Sequence, residues 1–351
     1  MSKKYIRKSV ERMSGYVPGE QPKGAKIIKL NTNENPYPPS PKVAEVLKNM
    51  DFSTLRKYPD PVAMPVRERV AELHGVHPDN VFVGNGSDEI LALCTRAFVE
   101  NDGAVGYFDP SYSLYPVLTD IRAVKKVPVP LKADFSWPGV ACDIASLFFL
   151  TNPNAPTSLL FERQKVEKFC ATFNGVVLID EAYVDFAPES CMELATQNDN
   201  VLVMRTLSKS YSLAGIRVGY VVGSKPLIDA LYKIKDSYNL DAVAQAVALA
   251  ALGDVAYMQA NAARIIETRR HLTEELQKLG FELCHSATNF LWAKPPSQIS
   301  ASDLFVRLKA EGVLIRFFAI AGIDDYVRIT VGTDSECATL LAATNEILLK
   351  G

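Results

Sequence analysis

Four short apolar runs, Val81-Phe82-Val83, Leu147-Phe148-Phe149-Leu150, Val176-Val177-Leu178-Ile179 and Val201-Leu202-Val203-Met204, contain no polar alternation. A strand covered on both faces has that pattern, because neither row of its side chains meets water. Between the runs, apolar positions recur at helical spacing. Behind Gly86, the residues Ile90, Leu91, Leu93, Cys94, Ala97 and Phe98 predict one face of a helix, with Ser87 placed to cap it. From about residue 66 the chain therefore reads as βαβ units, which predicts an α/β fold with a mostly parallel central sheet sandwiched by helices.

Beyond Asp241 the texture changes to an alanine-rich helix and then to a long helical run from Asp254 to Gly280, with Val255, Met258, Ala262, Ile265, Ile266 and Leu272 on one stripe. Alternating patches such as Val327-Arg328-Ile329-Thr330-Val331, and a further helix from Ser335, predict a smaller α+β domain. At the other end, Pro18, Gly19, Pro22, Gly24, Pro36, Pro38, Pro39 and Pro41 predict an extended arm over residues 14–41, of a length that often reaches across a subunit boundary. The expected division is an N-terminal arm over 1–45, a large domain over 46–250 and a small C-terminal domain over 251–351. A chain of 351 residues has room for two domains, and its 48% hydrophobic content supports packed cores.

The charge balance removes whole classes of function. With 38 Lys and Arg against 40 Asp and Glu, the chain lacks the basic excess of a nucleic-acid-binding surface. No run approaches the length of a membrane span, and Met1-Ser2-Lys3-Lys4-Tyr5-Ile6-Arg7-Lys8 lacks the apolar core of a secretory signal, so the expected location is cytoplasmic, without a membrane partner. The six cysteines (Cys94, Cys142, Cys170, Cys191, Cys284, Cys337) share no Cys-x-x-Cys spacing, and the four histidines do not gather around them. They are expected to be reduced packing residues, with no metal site and no disulfide framework.

Candidate chemistry lies at the ends of the apolar runs, because ligands of open α/β sheets bind beyond the carboxyl ends of the strands. Gly84-Asn85-Gly86-Ser87-Asp88-Glu89 follows the first run and opens a helix, which offers free backbone N–H groups and a positive dipole end to a phosphate. Asp180-Glu181-Ala182-Tyr183 follows the third, leaving Asp180 at the lip of an apolar strand in need of a cation. Arg205-Thr206-Leu207-Ser208-Lys209-Ser210 follows the fourth, with Arg217 shortly after. An anion cradle, a carboxylate awaiting a cation and a nearby lysine match what pyridoxal phosphate requires: a phosphate anchor, an acidic partner for the pyridinium nitrogen and a Schiff-base amine. Gly84 and Gly86 alone would be weak evidence, since neither the dinucleotide fingerprint nor the P-loop is complete.

These segments, with Leu30-Asn31-Thr32-Asn33-Glu34-Asn35-Pro36-Tyr37, Tyr58-Pro59-Asp60 and Val327-Arg328-Ile329-Thr330-Val331-Gly332-Thr333, give nearly the whole chain a resemblance to the fold-type I pyridoxal-phosphate aminotransferases, and within them to the histidinol-phosphate aminotransferase branch. The resemblance implies transfer of an amino group between L-histidinol phosphate and 2-oxoglutarate in histidine biosynthesis. It implies that Lys209 forms the Schiff base, Asp180 pairs with the pyridinium nitrogen and Tyr183 bonds the phenolic oxygen. Tyr112 would stack on the ring, and Ser87, Asp88, Ser208, Arg217 and Tyr58 of a second subunit would hold the phosphate. Arg328 and Arg316 would bind the anionic end of the substrate, with Tyr16, Asn33 and Glu34 closing over it in a homodimer with shared sites.

The family pattern Asn-Pro-Asn-Asn-Pro-Thr-Gly departs here to Asn152-Pro153-Asn154-Ala155-Pro156-Thr157-Ser158, so the asparagine that normally bonds the phenolic oxygen falls on Ala155. Either Tyr183 carries that bond alone or Asn154 substitutes from a shifted loop. Taken singly, each residue also has a plain reading: Lys209 as a surface lysine, Asp180 as a helix cap, Tyr112 and Tyr183 as packing residues, Arg316 and Arg328 as salt-bridge partners. An aromatic aminotransferase or a threonine-phosphate decarboxylase of the same fold would carry nearly the same motifs, and a non-catalytic binding protein could retain the fold.

Overall fold

In the computed structural model, which describes residues 5–22, 27–139 and 144–350, the four apolar runs become neighbours in one sheet. Met1 to Lys4, Gly24 of the arm and Cys142 lie outside the described residues. The arm contributes a short strand, β1 (Ile28–Lys29). The next seven strands are β2 (Val81–Gly84), β3 (Ala104–Asp109), β4 (Lys125–Pro130), β5 (Leu147–Thr151), β6 (Val176–Asp180), β7 (Val201–Thr206) and β8 (Gly219–Gly223). They pair in the order β2-β8-β7-β6-β5-β3-β4, and only β8 runs antiparallel to its neighbours.

The unbroken apolar runs follow from two covered faces. Phe148, Leu150, Val177, Ile179, Val201 and Val203 enter one core layer, packed by the helices Met64–His74, Arg163–Thr172 and Ala242–Leu252. Leu147, Phe149, Leu178, Leu202 and Met204 enter the other, packed by Gly86–Ala97, Leu114–Arg122 and Lys225–Ile234. Strand β4 lacks such an apolar run because it is an edge strand. Its Lys125, Lys126, Pro128 and Pro130 leave one side facing water and blunt further pairing.

Two local expectations need correction. The helix Gly86–Ala97 starts after Asn85 with no side-chain cap, so Ser87 is not its cap. In the helix Val255–Lys278 the buried stripe is Met258, Ala262, Ile265, Leu272 and Leu276, while Ile266 turns to solvent, one residue off the stripe. The apolar helix Ala242–Leu252 and this one are bent by 75°, and no single helix among the described residues is long and apolar enough to cross a membrane.

A second sheet, β12-β13-β10-β9, is antiparallel and is built from β9 (Glu282–Leu283), β10 (Phe290–Lys294), β12 (Arg316–Phe317) and β13 (Val327–Thr330); β11 (Val313–Leu314) pairs instead with β1. It packs with Ala301–Ala310 and Asp334–Leu349 around Leu291, Leu304, Ile329 and Leu340. The last helix starts one residue before the expected Ser335, fixed by a capping box between Thr333 and Glu336.

The arm ties the two sheets together. Leu30 donates to the Leu314 carbonyl at 2.7 Å and accepts from the Thr330 N–H at 3.0 Å. Five residues on, the Asn35 amide donates to the carbonyls of Lys209 and Ser210 at 3.0 and 3.1 Å. Residues 28–35 thus rest on their own chain. The arm is not extended throughout its length, because Pro41 opens the helix Pro41–Lys48, which Ser40 caps.

Candidate active site

Asp180 ends β6 and, at 4% exposure, faces the cleft between the two sheets. Its Oδ2 accepts from the Tyr115 hydroxyl at 2.9 Å and its Oδ1 from the Ala182 N–H at 3.1 Å. Among the described residues no cation pairs with it, and burial pushes its carboxyl up to about 6. The plain reading of Asp180 as a helix cap also fails, since the short 3-10 helix Val184–Phe186 that follows has Tyr183 at its N-cap. Such a carboxylate suits a cationic ring nitrogen arriving from outside the chain.

Lys209 follows β7 on the turn that Asn35 holds. Its Nζ donates to the Thr32 carbonyl at 3.3 Å and lies 5.7 Å from the centre of the Tyr183 ring. Removal from water, aided by the Arg328 guanidinium, pushes the amine down to about 8, which leaves a usable fraction uncharged near neutrality.

The anion cradle forms where β2 meets its helix. Gly86 has φ +76°, and a Cβ there would come within 2.7 Å of the Arg217 guanidinium. A Cβ on Gly219 would lie 2.9 Å from the Ser87 nitrogen. The two glycines keep open a niche bordered by Ser87, Ser208, Thr206 and Arg217. The Ser87 hydroxyl is buried with no partner in the protein, and Arg217 is anchored at one end by Asp88 at 3.2 Å. An unpaired hydroxyl, a helix N-terminus and a guanidinium at one place are the donor set of a phosphate site.

The opposite wall comes from the arm and the second sheet. Arg328 on β13 donates to the Asn31 carbonyl at 3.1 Å, sits over the Phe290 and Phe318 rings, and keeps a buried Nε without a partner. Arg316 on β12 lies beside Phe318 and reaches the Val17 carbonyl at 3.4 Å. Tyr112 donates to Asp88 at 3.2 Å and meets Tyr16 edge-on at 6.0 Å. Tyr183 is buried and its hydroxyl accepts from the Asn33 amide at 2.9 Å.

Twelve of the expected residues therefore line a single cleft: Lys209, Asp180, Tyr183, Ser87, Asp88, Tyr112, Ser208, Arg217, Arg328, Arg316, Tyr16 and Asn33. Three do not. Asn154 is fully buried, and its amide is spent on the Pro110 carbonyl at 3.2 Å and the Thr157 hydroxyl at 2.9 Å, so it holds its loop and does not replace the missing asparagine; Ala155 occupies the wall. Glu34 is drawn into an ion pair with Lys29 and does not line the cleft, although its charge still acts on Lys209. Tyr58 lies outside it, 80% exposed and stacked on Tyr238 at 4.4 Å. Tyr115, which holds Asp180 and Thr151, and Phe318, which supports both arginines, belong to the site as well, although no motif marks them. Helical spacing from Tyr112 was the only available signal for Tyr115. Phe318 had none.

Comparison with known proteins gives a concordant result. A family model described as aminotransferase class I and II matches residues 25–343. The chain is 43% identical over 348 residues to histidinol-phosphate aminotransferase 1 of Trichormus variabilis, covering 98% of this chain and 99% of that protein. It is 44% identical over 348 residues to histidinol-phosphate aminotransferase 1 of a Nostoc species, covering 98% of each. The crystal structure of histidinol-phosphate aminotransferase from Sinorhizobium meliloti in complex with pyridoxal-5'-phosphate superimposes with a TM-score of 0.89 at 25% identity, covering 99% of each chain.

Proposed function

Because the chain belongs to the class I and II aminotransferases, we propose that it acts as a histidinol-phosphate aminotransferase with pyridoxal phosphate as cofactor, moving an amino group between L-histidinol phosphate and 2-oxoglutarate in histidine biosynthesis. The observation that carries this reading is the pairing, across one cleft, of a carboxylate without a cation (Asp180) and a lysine of lowered basicity (Lys209), with two arginines behind them. The residues suit the cofactor: the partnerless Ser87 hydroxyl and Arg217 for its phosphate, Asp180 for its nitrogen, Tyr183 for its phenolic oxygen.

When bound, pyridoxal phosphate supplies a sink for the electron pair left on the substrate Cα after deprotonation. Lys209 Nζ takes the proton from that Cα and holds it for return, a task suited to an amine whose pKa lies near the working pH. Asp180 keeps a proton on the ring nitrogen, because a buried carboxylate beside it favours the charged form. Tyr115 and the Ala182 N–H hold Asp180 in place. Arg328 and Arg316 bind a phosphate monoester in one half-reaction and a carboxylate in the other, since the guanidinium fork engages both groups bidentately. Tyr16 and Phe318 line the same cleft beside the two arginines.

Absorbance of the protein loaded with pyridoxal phosphate tests the reading. L-Histidinol phosphate should bleach the lysine-bound band rapidly and 2-oxoglutarate should restore it, with little response to L-phenylalanine or L-threonine phosphate. A stronger response to either of those two would overturn the substrate assignment, and absence of any band would overturn the cofactor.

We also propose a cytoplasmic homodimer in which Tyr58 of one subunit completes the phosphate site of the other. The exposed Tyr58–Tyr238 stack and the exposed Phe52 and Leu55 beside it support this reading. Sedimentation at a single dimer mass, together with weaker cofactor retention in Tyr58→Phe, is the expected result. The division into an arm (1–45), a large domain (46–250) and a small domain (251–351) is supported by the seven-stranded sheet lying within 81–223 and the four-stranded one within 282–330.

A further inference from the structure

Asn33 is held more tightly than a residue that only closes over a substrate needs to be. Its φ of +57° places it in the left-handed region, where asparagine is among the few residues tolerated. Its backbone N–H donates to the Thr330 hydroxyl at 3.0 Å, and its carbonyl accepts from the Asn289 amide at 3.1 Å. Its side-chain Oδ1 accepts from Thr330 at 3.2 Å and its Nδ2 donates to the Tyr183 hydroxyl at 2.9 Å. Asn33, Thr330 and Asn289 are all at least 98% buried.

The direction of this chain of bonds follows from counting protons. The Thr330 hydroxyl already accepts the Asn33 N–H and has one proton to give, which satisfies Oδ1. Turning the amide over would set a further donor against Thr330 and take Oδ1 away from the proton that Thr330 gives. Nδ2 must therefore face Tyr183. The Tyr183 oxygen is then an acceptor towards Asn33, so its own proton cannot go there. Among the described residues no other acceptor takes it, and the remaining direction is the cleft.

We infer that Asn33 is a positioning residue that fixes Tyr183 as a hydrogen-bond donor into the cleft, a role made necessary by Ala155, which presents no amide on the same wall. The inference rests on the reading above, in which Tyr183 meets the phenolic oxygen of the cofactor. A hydrogen bond donated to that oxygen lowers its basicity, and with it the hold on the proton it shares with the lysine-bound nitrogen. Reversing the bond raises the pH at which the bound cofactor changes colour.

The test is a pH titration of cofactor absorbance in the wild type, Asn33→Asp, Asn33→Gly, Thr330→Val and Tyr183→Phe, with thermal unfolding recorded for each. A carboxylate at position 33 tolerates the same backbone and draws the Tyr183 proton away from the cleft. Asn33→Asp should raise the midpoint by about one pH unit, a tenfold gain in proton affinity, and approach Tyr183→Phe. Asn33→Gly keeps the backbone bonds and leaves Tyr183 free to donate, so its shift should be less than half as large. Thr330→Val, which frees the amide to turn without touching Tyr183, should shift the midpoint upward as well, and it carries the test if Asn33→Asp does not fold. An unmoved midpoint in Asn33→Asp while Tyr183→Phe moves, or equal shifts in Asn33→Asp and Asn33→Gly, overturns the inference and leaves the cofactor reading standing. If Tyr183→Phe itself has no effect, the inference falls because Tyr183 does not meet that oxygen; if the wild type shows no cofactor band, the underlying reading has failed.

Discussion

The two walls of the cleft are built in different ways. Asp180, Ser87, Ser208 and Lys209 stand at or just beyond the ends of strands buried on both faces, where a few residues of local sequence place each side chain. Arg316, Arg328, Tyr16 and Asn33 arrive from the arm and the second sheet and are held by contacts between segments roughly 300 residues apart, such as Arg328 with Asn31 and Asn33 with Thr330. The first wall is rigid by virtue of the sheet. The second depends on the arm staying docked, so substitutions there should act on substrate affinity before they act on chemistry.

The largest effect should come from breaking the first wall. Lys209→Ala should lower kcat by roughly 10³-fold or more and abolish the borohydride-trapped cofactor adduct seen by mass spectrometry. Next comes the second wall: Arg328→Lys, which replaces a planar fork with a point charge, should reduce kcat/KM for L-histidinol phosphate by about 10- to 100-fold, chiefly through KM. Arg316→Lys should cost less, because Arg316 lacks the second ring and the buried Nε of Arg328. Equal effects would mean that the two arginines share the anion evenly.

Asp180→Asn separates activity from stability. Activity should fall, while the cofactor-free variant should be more stable than the wild type above about pH 6. The folded-state pKa of Asp180 is raised by burial, so the folded protein holds the proton more tightly, and stability is lost as pH rises from the ordinary carboxylate range through about 6. Thermal unfolding across that window checks it, with a gain of up to about 3 kcal/mol. The smallest effect expected is on Lys209. Cofactor capture by the cofactor-free protein should speed up with a midpoint near pH 8, and Arg328→Met should move that midpoint upward by removing the second contributor to the depressed pKa. Stopped-flow absorbance reads this directly, and an unmoved midpoint would show that Arg328 does not contribute to it.

Much of the first wall was legible because strand ends translate directly into position. An apolar run that stops at Asp180 can only leave the carboxylate at the sheet edge, and Gly86 opening a helix marks an anion site before any tertiary contact is known. Sequence position misleads where a side chain has a competing neighbour. Glu34 has a place in the arm beside Asn33 that points to the cleft, yet Lys29, five residues earlier, pairs with it. Asn154 stands one residue from the missing asparagine, yet Thr157 and the Pro110 carbonyl use its amide inside the loop. Ser87 has the sequence position of a helix cap, whereas its unpaired hydroxyl borders the niche that Gly86 and Gly219 keep open.

From the chain alone came the α/β class, the sheet buried on both faces, the lysine and carboxylate at the strand ends, and the membership that these motifs imply, all of them consequences of local periodicity and of what one strand end can present. Tertiary structure decided which donors were already satisfied, that Tyr115 and not a cation holds Asp180, and that a left-handed asparagine in the arm sets the direction of the Tyr183 hydrogen bond. Hydrogen-bond partners and burial depend on residues hundreds of positions apart, and no local pattern encodes which of several polar neighbours reaches a given atom first.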